Sequence, residues 1–179
     1  MAHWVLVISA ERYAAERLLS NEALDLTGVE AQRPTDGELV VFVAATEPPV
    51  SFGLGRVSGH EAEYTQRVFD APAPVAELGD PRLCQPGLYP LDAGAFGALA
   101  ATVRAQSPPS GSANRTWLVS LDLPIEAATP AEAVRTFWTY ALRLGPEELP
   151  TFVSPADDEL AMQAYVLGEP TNLDPEEDD

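Results

Sequence analysis

Hydrophobic positions along this chain change period several times, and each change marks an element. Trp4-Val-Leu-Val-Ile8 is an unbroken apolar run of strand length. Ser9 follows as a helix cap, with Ala15, Leu18 and Leu19 expected on the buried face of a helix ending near Asn21. Asp36-Gly37 signals a turn, and Glu38-Leu-Val-Val-Phe-Val-Ala-Ala45 then runs as a strand covered on both faces. Thr46-Glu-Pro-Pro49 breaks it, and Ser51-Phe-Gly-Leu-Gly-Arg-Val57 returns as its hairpin partner. Five prolines between positions 70 and 93 predict a stretch that is mostly loop. In the helix after it, Phe96, Leu99, Ala100 and Val103 share one face.

The C-terminal third repeats this logic. Trp117, Val119, Leu121 and Leu123 alternate with Leu118, Ser120 and Asp122, which predicts a strand. Thr129-Pro130-Ala131-Glu132 combines an N-cap, a proline at the first helical position and a glutamate that closes a capping box. Val134, Phe137, Trp138 and Ala141 form the apolar stripe of that helix, with Tyr140 off it, and Gly145-Pro146 stops it. Thr151–Ser154 reads as a strand, Pro155–Asp158 as a turn, and Leu160, Met162, Ala164 and Val166 as the inward positions of another strand. The fold class that follows is α+β, a small, partly closed N-terminal sheet with helices and a C-terminal β-α-β-β unit. The boundaries place a first lobe at 1–105, a linker at 106–116 around Ser107-Pro-Pro-Ser110, a second lobe at 117–169 and an acidic tail at 170–179. The order Trp, strand, helix, strand with Phe occurs twice, with Trp-to-Phe spacings of 38 (42 − 4) and 35 (152 − 117), an echo of a duplication.

Composition adds electrostatics to this picture. All ten cations are arginine against 28 carboxylates, a net charge of −18. Residues 1–116 hold 14 acids and 8 arginines (−6), whereas residues 117–179 hold 14 acids and 2 arginines (−12). Such a surface repels phosphate backbones and anionic lipid unless arginines cluster locally. No apolar run approaches the roughly 20 residues that span a bilayer, so no membrane is expected, and the N-terminus lacks the basic region of a signal peptide. One cysteine, Cys84, forms no internal disulfide and suits a cytoplasmic protein.

Candidate chemistry is sparse. Gly53-Leu-Gly55 lies inside a strand, where close backbone approach or a bulge explains it better than a phosphate loop does. His3 and His60 lack ligand spacing, and His60 with Glu61 and Glu63 reads as solvated loop, so no metal or cofactor is expected. Asp157-Asp-Glu159 lacks the spacing of a calcium loop, and the surroundings of Cys84 match no nucleophile signature. These absences favour a non-catalytic protein.

The stretch Asp36-Gly-Glu-Leu-Val-Val-Phe-Val-Ala-Ala45, followed by Pro48-Pro-Val-Ser-Phe-Gly-Leu-Gly-Arg-Val-Ser-Gly59, resembles the central hairpin of PUA-like domains of the EVE and ASCH branches. The Trp4 strand and the helix after it also resemble the start of an EVE domain, and together the match spans residues 3–60. The resemblance implies a pseudobarrel that recognises RNA or modified bases through a pocket with aromatic residues. It implies Trp4, Phe42 and Phe52 as pocket aromatics and Arg33 and Arg56 as phosphate partners. The segment 117–138 resembles uncharacterised actinobacterial proteins, which implies no activity. Two functions therefore stand side by side: a module that binds a nucleotide or modified base, and an acidic interaction or nucleic-acid-mimicking module for a basic protein partner. Convergence of Arg12, Arg17, Arg33, Arg56 and Arg67 on one concave face argues for the first, and their dispersal for the second.

Overall fold

The computed structural model describes residues 2–19, 21–26, 34–75, 79–106 and 115–171. The chain divides into two compact units, Met1–Ser110 and Gly111–Asp179. The fold is mixed α+β, a curled sheet in the first unit and a separate four-stranded sheet in the second.

Strand β1 (His3–Ser9) shows why its apolar run is unbroken. Trp4, Leu6 and Ile8 join one core cluster and Val5 and Val7 another, on opposite faces. Ser9 caps α1 (Ala10–Leu18), its Oγ accepting from Arg12 N at 3.1 Å. The expected face of α1 is corrected: its buried residue is Tyr13, while Ala15 and Leu19 are exposed. The sheet continues with β2 (Ala23–Asp25), β3 (Leu39–Ala45), β4 (Val50–Ser58), β5 (Glu61–Arg67), β6 (Ala73–Pro74) and β7 (Gly87–Leu91). Its order is β2-β5-β4-β3-β1-β7, with β6 pairing β4, and β1 runs parallel to β3. Strand β7 lies in the stretch expected to be loop. It tolerates Pro90 because it pairs only with β1, and a missing N–H on the outer edge costs no ladder bond. Glu61 and Glu63, expected in a solvated loop, are instead in β5, whose inward residues Ala62 and Tyr64 alternate with carboxylates and polar side chains and leave no apolar pattern. Helix α2 (Ala93–Gln106) buries Phe96, Leu99, Ala100 and Val103, the four residues its periodicity singles out.

The glycines of β4 make room for an aromatic ring. A Cβ on Gly55 would collide with the ring of Phe42 and lie 2.7 Å from Glu63 O, and one on Gly53 would lie 2.9 Å from Gln66 O. Pairing shifts register between Phe42 and Val43 and again between Leu54 and Gly55, the bulges expected of this segment. The Asp36-Gly37 turn is real, with Gly37 at φ 87°.

In the second unit the sheet order is β11 (Glu169–Thr171), β10 (Gln163–Val166), β9 (Thr151–Pro155), β8 (Trp117–Ser120). Helix α3 runs Pro130–Glu148 with Gly145 out of helical geometry at φ 67°, so the stop falls where glycine and proline mark it. Thr129 Oγ1 accepts from Glu132 N at 3.2 Å, and Glu132 reaches back to Ala128 N at 3.0 Å, one residue before the expected partner. Four expectations are corrected. The apolar stripe of α3 buries none of its residues, with Val134 57% and Trp138 58% exposed. Strand β8 ends at Ser120. Leu160 belongs to a short 3-10 turn, Glu159–Ala161, and is fully exposed. Pro170 and Thr171, expected in the tail, pair with β10 in β11. Positions 107–114 of the linker and 172–179 of the tail lie outside the described residues. The duplication echo fails on topology, because β1 and β3 are parallel whereas β8 and β9 are antiparallel. No helix among the described residues is long and apolar enough to cross a membrane.

Candidate functional site

The residues that the family resemblance implies are structural here. Phe42 and Phe52 are 0% exposed, their rings 5.9 Å apart in one core cluster, so neither borders a pocket. Trp4 is also core, and its indole N–H donates to Glu38 Oε2 at 2.7 Å. Arg56 pairs across β4 with Leu39 and Glu63 and donates through Nη1 to Gly37 O at 3.1 Å, which pins the turn. Arg33 lies outside the described residues.

Glu38 holds the start of β3 against both the turn and β1. Its carboxylate accepts from Thr35 N at 3.0 Å and from Trp4, and these bonds hold its pKa below the ordinary 4.5. A carboxylate with a depressed folded-state pKa contributes stability that is present above its unfolded pKa and is lost as pH falls through the folded one. Glu38→Gln is therefore expected to lower stability at pH 7 by about 1 kcal/mol. The gap to wild type should narrow as pH falls below the usual carboxylate range and the native carboxyl is protonated. Urea titrations at pH 7, 5 and 3.5 check this, and a gap independent of pH would refute it.

An unforeseen aromatic cluster lies on the α1 side of the sheet. Tyr13 is 4.8 Å from Phe52 between ring centres, Tyr64 is 4.7 Å from Phe42, and Phe69 is 5.8 Å from Phe52 and 6.2 Å from Tyr64. The hydroxyl oxygens of Tyr13 and Tyr64 are buried and have no hydrogen-bond partner among the described residues. Burial raises the pKa of both phenols, reinforced at Tyr64 by Glu16 and opposed by Arg67 and Arg12. At Tyr13, Arg17 opposes the rise and Asp70 adds to it. Both phenols are neutral donors at physiological pH.

Three arginines gather around this cluster. Arg12 and Arg17 come from α1, and Arg17 follows Tyr13 by four residues, which puts the two on one helix face. Arg67 ends β5, its guanidinium 5.3 Å from the centre of the Tyr64 ring and its Nη1 donating to Asn21 O at 2.6 Å. Arg12 Nη2 donates to Asp25 O at 3.2 Å. A cavity of about 370 Å³ opens beside them, lined by Arg17, Leu18, Leu19, Arg67 and Phe69. Half-buried Phe69 stands between this cavity and the two tyrosines. None of the described lining side chains is a nucleophile or a general base at neutral pH. Of the sequence expectations, only the convergence of arginines on one face bears on this place, and Tyr13 was not among the residues singled out. Phe69 and Tyr64 sit in segments with no apolar periodicity.

Other features are quiet. Cys84 is exposed beside a smaller cavity of about 250 Å³, where Asp80 already binds Arg82 at 2.6 Å. His3 stacks on Phe96 at 4.5 Å. Among the described residues no group of three or more His, Cys, Asp and Glu is placed to hold a metal ion. No family model, no curated protein and no solved structure matches this chain.

Proposed function

We propose that the N-terminal unit is a non-catalytic binding module of the PUA-like kind, which captures a single nucleotide or modified base in the cavity between α1 and the end of β5. One observation carries the reading. A cavity rimmed by Arg17 and Arg67, with the half-buried ring of Phe69 in its wall, opens on a chain whose net charge is −18. A base stacked on Phe69 supplies roughly 1–3 kcal/mol, and the guanidiniums supply charge for a phosphate. Glu16, Asp70 and the acidic surface beyond them oppose a long duplex, so the ligand is a mononucleotide or an unpaired base.

The test is a titration of nucleoside monophosphates and short single-stranded oligonucleotides, with and without modified bases, at low salt. Arg17→Ala and Arg67→Ala should each weaken binding about tenfold, and Arg56→Ala should leave it unchanged. Tyr64→Phe should raise the stability of the free protein by about 1 kcal/mol and leave binding nearly unchanged, since it deletes a buried hydroxyl that has no partner among the described residues and does not line the cavity. Absence of binding by wild type, or equal binding by the arginine variants, refutes the reading.

A further inference from the structure

Among the described residues the two sheets have five outer strands, and four of them are blunted. Strand β2 is three residues long and ends on Asp25, β6 is two residues long and ends on Pro74, β7 carries Pro90, and β11 carries Glu169 and Pro170. Short strands, prolines and charges are the ordinary devices that stop a sheet edge from pairing with another chain. Strand β8 is short too, at four residues, but carries neither a proline nor a charge. Its sequence is Trp-Leu-Val-Ser, it pairs with β9 without a register shift, and all four residues are exposed. Trp117 and Val119 share one face of the sheet with Val153 and the buried Pro155; the Arg115 guanidinium lies 5.5 Å from the centre of the Trp117 ring, yet Trp117 and Val119 remain 53% and 65% exposed. The buried residues Ser154 and Ala164 lie on the opposite face, with Leu118 and Phe152. An apolar strand therefore offers both a row of backbone groups and two largely exposed side chains.

Charge selects the occupant. The described residues 115–171 of this unit carry nine acids and three arginines, and Asp122 and Glu126 follow β8 directly as exposed carboxylates. A second copy adding its own β8 would bring two such acidic surfaces together, which their like charge opposes. A basic chain is attracted to the same surface. We infer that β8 is an open edge that takes up an extended segment of another protein, apolar at alternate positions and basic between them, as a fifth strand of this sheet. Main-chain hydrogen bonds to β8 supply the affinity. The apolar positions lie beside Trp117 and Val119, and the basic ones meet the carboxylates. This site lies in the second unit and stands apart from the nucleotide reading of the first.

The experiment uses the full chain and a fluorescein-labelled synthetic octapeptide of alternating valine and arginine, followed by anisotropy and by amide hydrogen exchange. Binding should be lost when glutamate replaces the arginines. It should weaken at least tenfold when proline replaces the two central valines, a change that keeps the charge. Val119→Arg should also weaken it at least tenfold, whereas Val134→Arg, the same charge change at an exposed position of α3, should weaken it less than threefold. Exchange at residues 117–120 should be fast in the free protein and slow in the complex. Equal loss in the two arginine variants, or indifference to the prolines, reduces the binding to charge alone and overturns the proposal. So do amides at 117–120 that are already protected in the free protein, or sedimentation as a dimer that Val119→Arg dissociates, because the edge is then filled by this chain itself.

Discussion

Gly55→Ala is expected to destabilise the N-terminal unit by about 3 kcal/mol or more, the upper end of what overpacking costs. The new methyl group has two obstacles, and neither can step aside. One is the Phe42 ring, 0% exposed and held by Tyr64 at 4.7 Å and Phe52 at 5.9 Å. The other is Glu63 O at 2.7 Å, part of the backbone of β5, which pairs with β4 over the whole hairpin. Gly53→Ala meets the same ring at 3.1 Å and Gln66 O at 2.9 Å, and should cost somewhat less, about 2 kcal/mol. Gly59→Ala is the control for backbone strain alone: nothing lies within 4 Å of its Cβ, but its φ is 62°, for which about 1 kcal/mol is expected. Urea unfolding of the three variants checks the order. If the loss at position 55 comes from the ring, Phe42→Leu combined with Gly55→Ala should cost less than the sum of the single changes. Additivity would mean that the ring is not the obstacle.

This packing explains which parts of the molecule were legible in the sequence. Where one physical demand acts, the pattern is unambiguous. Helix α2 needs one buried face and shows it in Phe96, Leu99, Ala100 and Val103, and α3 announces its start at Thr129 and its stop at Gly145. Strands β1 and β3 are covered on both faces and read as unbroken apolar runs. Strand β5 has a solvated face, and its inward residues Ala62 and Tyr64 are too few and too unlike to stand out. Strand β7 contains a proline that only an edge position permits, and no local signal says that a strand will be an edge.

The candidate site was harder to see for a similar reason. An aromatic inside a strand satisfies the demands of a core and of a binding pocket equally well, so Phe42 and Phe52 were compatible with both until their burial was known. The arginines behave differently. Three of the five flagged, Arg12, Arg17 and Arg67, come together around Tyr13 and Tyr64, while Arg56 serves the turn at Gly37. That grouping depends on α1 crossing near the end of β5, a tertiary fact with no trace in the spacing of residues 12, 17 and 67.

Phe52→Ala separates a core residue from a ligand residue more sharply than any other single change. Phe52 is 0% exposed and its ring is 4.8 Å from Tyr13, 5.9 Å from Phe42 and 5.8 Å from Phe69. It joins α1, the β3–β4 hairpin and the segment after β5 at one point. Removing such a ring leaves a cavity that its neighbours fill only in part, and the expected loss is about 3–5 kcal/mol. Had Phe52 lined a pocket, truncation would weaken a ligand by roughly 1–3 kcal/mol and leave the fold nearly untouched. The structure therefore requires a large fall in the urea midpoint, shared by circular dichroism and by intrinsic tryptophan fluorescence, to which Trp4 of the same core contributes. Phe52→Leu, which keeps most of the volume, should lose less than half as much. Nucleotide binding, measured at a temperature where the variant is still folded, should fall as well, because Phe69 stacks on Phe52 and loses its support on that side. A variant that keeps wild-type stability and fails only in binding would return Phe52 to the ligand and contradict the packing described here.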